Sequence, residues 1–519
     1  MANRNLFTSA RGAQAPQTDA INEAGGAAYF RDPRSALALY AVTGCLNGTY
    51  YASEQAQLAK TLALCAAVPA EFVAKVAIHA RQAHMKDMPA LLLAHLANRD
   101  GAVLEKAFNR VVDNGRMLRN FVQIMRSGVT GRRSLGSRPK RLVQQWLERA
   151  STLSVLSASV GTQPSLADVV RMVHPRPIDA GREALYAWLL GRPHAPLVLP
   201  PEVQAYECFK ADPTGEPPDL PREFLVSLPL AAEQRKAIAL RGSWQSIRMN
   251  LNTFTRQGLF DDEAFTQAIA WRLRDAEAIR KARVFPYQLM VAYQAANGAM
   301  PRAITDALHE AMEIATASMP VLPGNVVVAI DVSGSMASPA TGWRKGATTR
   351  ATCVDVAALI AATLKRANPA TRIIPFNTGV VRYRPRSRGG VMQQARELAA
   401  LVGGGTAVSA PIGQLLAEKA KVDLLVVVSD NQSWFDVTPM ADGTAAMKGW
   451  TKLKAANPGA RLACIDLQPY ATSQFKDESG DRDVLHVAGF SDAVFGLLAD
   501  AANAEGATQW VERIEATPL

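Results

Sequence analysis

Near Pro320 the hydrophobic period of this chain changes, and that change limits the fold more than any other feature of its 519 residues. Before it, apolar residues recur at three- and four-residue spacing in segments such as Ser53–Ala66, Ala70–Ala83, Met88–Leu96, Ala102–Val112 and Pro139–Ala150. Short breaks separate them, for example Val68-Pro69 and Asn114-Gly115, and strand-like alternation is scarce up to Met319. Short helices of this kind must bury their apolar stripes against one another, which predicts an α-solenoid of paired, HEAT-like helices, although no strict repeat period is visible. The proline-rich stretch from His194 to Pro221 is expected to loop over the surface.

After Pro320, strand-length apolar runs alternate with helical stretches. Strands are predicted at Asn325–Val332, Arg372–Asn377, Asp423–Ser429, Arg461–Leu467 and Val484–Val487. Helices are predicted at Thr352–Ala367, Val391–Leu401, Ser409–Ala420, Ala441–Ala456 and Ser491–Ala502. Such alternation implies a doubly wound parallel sheet covered on both faces, with ligands beyond the C-terminal ends of its strands. The chain thus divides into a tail over 1–20, an all-α domain over 21–320 and an α/β domain over 321–519.

The first strand of the second half ends in Asp331-Val332-Ser333-Gly334-Ser335, where a ligand is expected. One carboxylate and two hydroxyls suit a hard divalent cation, which prefers oxygen donors and keeps several waters. Thr406, in a Gly403-Gly404-Gly405 loop, and Asp430, at the end of another strand, add two oxygens at the same sheet edge. A lone DxSxS could also be a turn capping a helix. The five positions together resemble the metal-ion-dependent adhesion site of von Willebrand factor type A (vWA) domains. That resemblance implies a magnesium ion, with manganese the alternative, on Asp331, Ser333 and Ser335. It also implies that Thr406 ligates directly in one state and through water in another, that Asp430 acts from behind the ligands, and that an acidic partner group takes the open position. No histidine stands beside the ligands in sequence, so the ion reads as a docking device and the chain as a non-enzyme. The turn Arg382–Arg388 (RYRPRSR) adds an exposed basic surface suited to RNA or to an acidic partner.

Charge points the same way. The formal net charge is +11, and residues 1–320 hold 37 of the 57 basic residues against 28 of the 46 acidic ones. A surplus of that sign favours polyanions, nucleic acid first. No apolar run approaches the ~20 residues that span a bilayer, and the first residues lack the apolar stretch of a signal peptide. The five cysteines are scattered singly, which suggests reduced thiols without zinc or disulfides and a cytoplasmic protein outside the membrane.

Five segments of the helical half carry a second resemblance: Phe30–Ser53, Gly131–Trp146, Leu166–Leu190, Ser243–Gly258 and Ala282–Ala292. They resemble the TROVE module of the Ro autoantigen family, which couples a helical-repeat ring to a vWA domain, so the likeness spans the chain. It implies binding of small structured Y RNAs on the outside of the ring. Misfolded noncoding RNAs would thread single-stranded 3′ ends through its hole, and a 3′-to-5′ exoribonuclease would be a partner; a monomer is expected. The residues make physical sense of this. Arg132, Arg133, Arg138, Lys140 and Arg141 crowd a helix start, where phosphate oxygens are well served, and Arg171, His174 and Arg176 recur in the next turn. Arg171 matches a family position implicated in Y RNA contact, whereas Ala167 replaces a lysine of vertebrate members. Arg248 is a candidate lining the ring. The competing class is a metal-dependent adaptor on a protein-binding solenoid, indifferent to RNA.

Overall fold

A computed structural model describes residues 15–44, 46–161, 163–282, 284–295, 298, 300–317, 319–343, 351–385, 389–436, 443–476, 483–489, 493–502 and 510–519. Arg386, Ser387 and Arg388 of the basic turn, and most of the predicted tail, lie outside them.

The described residues form two compact units. One comprises the chain up to Leu64, Phe285–Gln294 and Met312–Ala516; the other comprises Cys65–Val284, Ala295–Ala311 and Thr517–Leu519.

The first unit contains eight described strands: β1 (Ala20–Ile21), β2 (Ala27–Phe30), β3 (Val326–Asp331), β4 (Arg372–Phe376), β5 (Leu424–Ser429), β6 (Arg461–Asp466), β7 (Thr472–Ser473) and β8 (Val484–Ala488). Five of them make a parallel sheet in the order β4-β3-β5-β6-β8. Every residue of β3 and β5 is buried, which is why these strands read as solid apolar runs and not as alternation. Phe376, Val427, Trp450, Leu462 and Phe475 belong to the core on one face. The helix Cys353–Ala367 starts at a reciprocal cap, with Thr352 and Asp355 each bonding the other's backbone.

Two strands fall where the sequence predicts only helices. β1 pairs antiparallel with β2, and β2 with β7, Tyr29 opposite Ser473. Strands of two and four residues are too short to show a period, and β7, the second partner of β2, lies more than 440 positions away. The change of secondary structure near residue 320 is therefore not the edge of the compact unit around the sheet.

The second unit is helical, as its periodicity predicts: Ala70–Gln82, Asp87–Arg99, Gly101–Val111, Gly115–Ser127 and Ser137–Arg149 follow one another with short breaks. Side-chain caps fix the starts. Asp100 accepts from Ala102 and Val103 amides, Asn114 from Met117, and Ser165 from Asp168. Facing apolar stripes meet at contacts such as Phe108 against Phe121, ring centroids 5.3 Å apart. The expected surface loop from His194 to Pro221 is a correction: it holds the helix Pro201–Ala211. Pro201 sits in the first turn, where a missing N–H costs nothing, and Tyr206 packs on Phe224 at 4.7 Å.

Candidate metal centre and basic surface

Because β3 and β5 are parallel neighbours, their C-terminal ends bring Asp331 and Asp430 to one place. The glycine loop is tied to the same point: Gly334 N donates to Gly404 O at 2.9 Å and Gly403 N to Val332 O at 2.7 Å. Gly404 has φ +82°, and a Cβ there would lie 3.1 Å from the Asn377 amide, so glycine is needed to bring Thr406 in. Asp331 accepts from Ser333 N at 2.8 Å and from Ser429 Oγ at 2.6 Å; Ser333 and Ser335 hydroxyls are 3.3 Å apart.

All five side chains are buried, none more than 6% exposed. Burial pushes the Asp331 carboxyl up, and burial together with the neighbouring Asp331 charge pushes Asp430 up to about 7. Among the described residues neither carboxylate has an ion pair. Two buried carboxylates without a counter-charge, beside three hydroxyls, fit a hard divalent cation: it would neutralise the pair through an all-oxygen set.

The turn between β1 and β2 grips the loop after β5, a role that no sequence pattern announced. Asn22 Nδ2 donates to Ser433 O at 2.6 Å, and Glu23 N to Gln432 Oε1 at 2.8 Å. Gln432 N in turn donates to Asp430 Oδ1 at 3.2 Å. Arg31 makes a buried ion pair with Asp466 at 2.8 Å, and the other Asp466 oxygen accepts from the Asn431 amide. His486 lies 3.1 Å from Arg31 and is held far below its usual range by burial, so it is a neutral member of this network. Tyr51 also faces the site: burial pushes its pKa up to about 12, and Ser335 and the Asp430 and Asp331 carboxylates act on it. Trp434 and Phe435, whose amides bond Thr406 O, are half exposed beside it.

In the helical unit, Gly136 caps the helix Ser137–Arg149, and five cations gather at its start. Arg133, Arg138 and Arg141 are exposed, with Arg132 and Lys140 half-buried. Arg138 and Arg141 share a single carboxylate, Glu105, at 3.3 and 2.5 Å. One turn on, Gln144 donates to Val173 O and His174 O, which places the Arg171, His174 and Arg176 turn beside the same helix. His174 adopts φ +49° at the helix end, and Arg171 pairs with Asp168 at 3.0 Å. Arg248 belongs elsewhere, on Trp244–Arg256, half-buried with its Nε on Gln245 Oε1 at 2.9 Å and its pKa lowered by burial.

Comparison with known proteins bears on both sites. Residues 325–502, which include the five oxygen-bearing positions, match the family model for the Ro60 vWA domain. Along its length the chain is 26% identical to a protein named RNA-binding protein RO60 from Deinococcus radiodurans, over 97% of this chain and 100% of the relative. The chain is similar to an Ro protein along nearly its whole length. The fold of this Ro-like chain also matches the crystal structure of the Deinococcus radiodurans RO (RSR) protein, with a TM-score of 0.61 and 21% identity over 92% of this chain and 100% of that one. The helical region followed by a vWA domain is thus the architecture of a solved relative.

Proposed function

We propose that this Ro-like protein is a non-catalytic RNA-binding scaffold. The observation that carries the reading is the exposed start of Ser137–Arg149: five cations, two of which share one carboxylate, in a chain whose full-length relative is named for RNA binding. Lone charges at such a surface stay solvated, and lining up on phosphates releases their counterions. The RNAs we propose are small structured Y-like RNAs and the single-stranded 3′ ends of misfolded or immature RNAs, handed to a 3′-to-5′ exoribonuclease in the cytoplasm. The test is RNA that co-purifies with the protein, seen as a high nucleic-acid to protein absorbance ratio that ribonuclease removes. A protein free of RNA under gentle lysis would count against the proposal.

The metal belongs to the same reading. We propose that magnesium binds on Asp331, Ser333 and Ser335, with Thr406 ligating directly or through water and Asp430 behind them, and offers an acidic partner group a coordination position. When bound, the ion supplies positive charge that the two buried carboxylates lack. Magnesium at about 100 times its dissociation constant should stabilise the protein by ~2.7 kcal/mol, roughly 5–10 °C in thermal midpoint for a unit of this size. Asp331→Ala should abolish that increment, as read by calorimetry with and without chelator. A second reading, a metal-centred protein adaptor without RNA, draws on the half-exposed Trp434 and Phe435 beside Thr406. Metal-dependent capture of an acidic peptide by RNA-free protein would favour it.

A further inference from the structure

A cleft of ≈ 560 Å³ opens beside β4, the edge strand of the parallel sheet, and none of the five proposed metal ligands lines it. Its wall includes Lys365, Arg372, Arg382, Tyr383, Arg384 and Gln414, and every charged residue among its lining is basic. Two of the cations are already engaged. Lys365 Nζ donates to Pro369 O at 2.6 Å and Thr371 O at 2.7 Å, and Arg372 grips Glu418 through both guanidinium nitrogens. Arg382 and Arg384 are different: both are exposed, and neither has an ion pair among the described residues. Tyr383, half-buried, stands between them in the chain.

The edge of β4 narrows the occupant. Its C-terminal end is closed, since Val381 N donates to Pro375 O at 2.8 Å and Val380 bridges to Phe376. An acidic peptide could not add a strand along its full length.

We propose that this cleft is a second contact for single-stranded RNA, on the vWA-containing unit and apart from the metal centre. Phosphates lie on Arg382 and Arg384, and a base packs on Tyr383. The inference rests on the RNA-binding reading and extends it to a named surface.

The test uses the full-length protein and a labelled single-stranded oligouridylate. Arg382→Glu with Arg384→Glu should weaken its binding ~10-fold or more at about 100 mM salt, with an unchanged melting profile. Tyr383→Ala should lose several-fold in affinity where Tyr383→Phe does not, and ultraviolet crosslinking should label the peptide containing Tyr383. If the double charge reversal binds oligouridylate like wild type while alanines at Arg132, Arg133, Lys140 and Arg141 still impair structured RNA, the cleft is overturned and the RNA reading stands. If wild type binds neither the oligouridylate nor structured RNA, both fall. Displacement of oligouridylate by polyglutamate at equal charge concentration would reassign the cleft to an acidic protein partner.

Discussion

Alanine at Arg132, Arg133, Lys140 and Arg141 together is expected to weaken binding of structured RNA roughly 30- to 100-fold at about 100 mM salt, because each phosphate contact contributes about 0.9 to the slope of log affinity on log salt. The loss should be sequence-independent and should shrink as salt rises. Folding should be nearly untouched, since the four side chains are exposed or half-buried and only Arg141 has a partner carboxylate among the described ion pairs. Glu105 gives an internal control. It neutralises part of Arg138 and Arg141, so Glu105→Ala should tighten binding modestly while the alanine quartet weakens it. A quartet that melts like wild type and binds RNA equally well would place the RNA elsewhere on the protein.

Arg31→Met is expected to have the largest effect on stability. The Arg31 and Asp466 side chains are 4% and 3% exposed, and breaking a buried pair by removing one member costs about 3–5 kcal/mol. That corresponds to roughly 10 °C of thermal midpoint in a unit of this size. The pH dependence follows from Asp466, whose carboxyl burial already pushes up to about 6 even with Arg31 beside it. Without the guanidinium its folded-state pKa rises further above the unfolded value, so the cost is present where the carboxyl must stay charged. The deficit should be greatest near pH 7 and shrink toward pH 5, as Asp466 protonates. Adding Asp466→Asn to Arg31→Met should recover much of the loss at pH 7. A deficit that is flat across that range would mean Asp466 is not the group left stranded.

The convergence of Asp331 and Asp430 was legible in the sequence because neighbouring strands of a parallel sheet end together. The same logic fixed the strand and helix order of the second half to within a few residues. What supports the site was not legible. Asn22 and Glu23 reach the loop after β5 across some 400 positions of sequence, and Arg31 reaches Asp466 at the end of β6, through hydrogen bonds that carry no periodic signature. The position of Tyr51 by Ser335 carries no sequence signature either. The helix Pro201–Ala211 was hidden because proline counts as a breaker, although at a first turn it starts helices. In the basic surface, the crowding of Arg132–Arg141 was visible in sequence, but its sharing of Glu105 and its adjacency to the His174 turn through Gln144 are tertiary facts.

One measurement bears most directly on whether this protein is built to hold RNA by its phosphates: the affinity of the full-length chain for a structured RNA with a single-stranded 3′ end, across a salt series from about 50 to 300 mM. A linear fall of log affinity with log salt, with a slope of about −4 or steeper, is the expected result. A flat dependence, or no binding at the lowest salt, would contradict it.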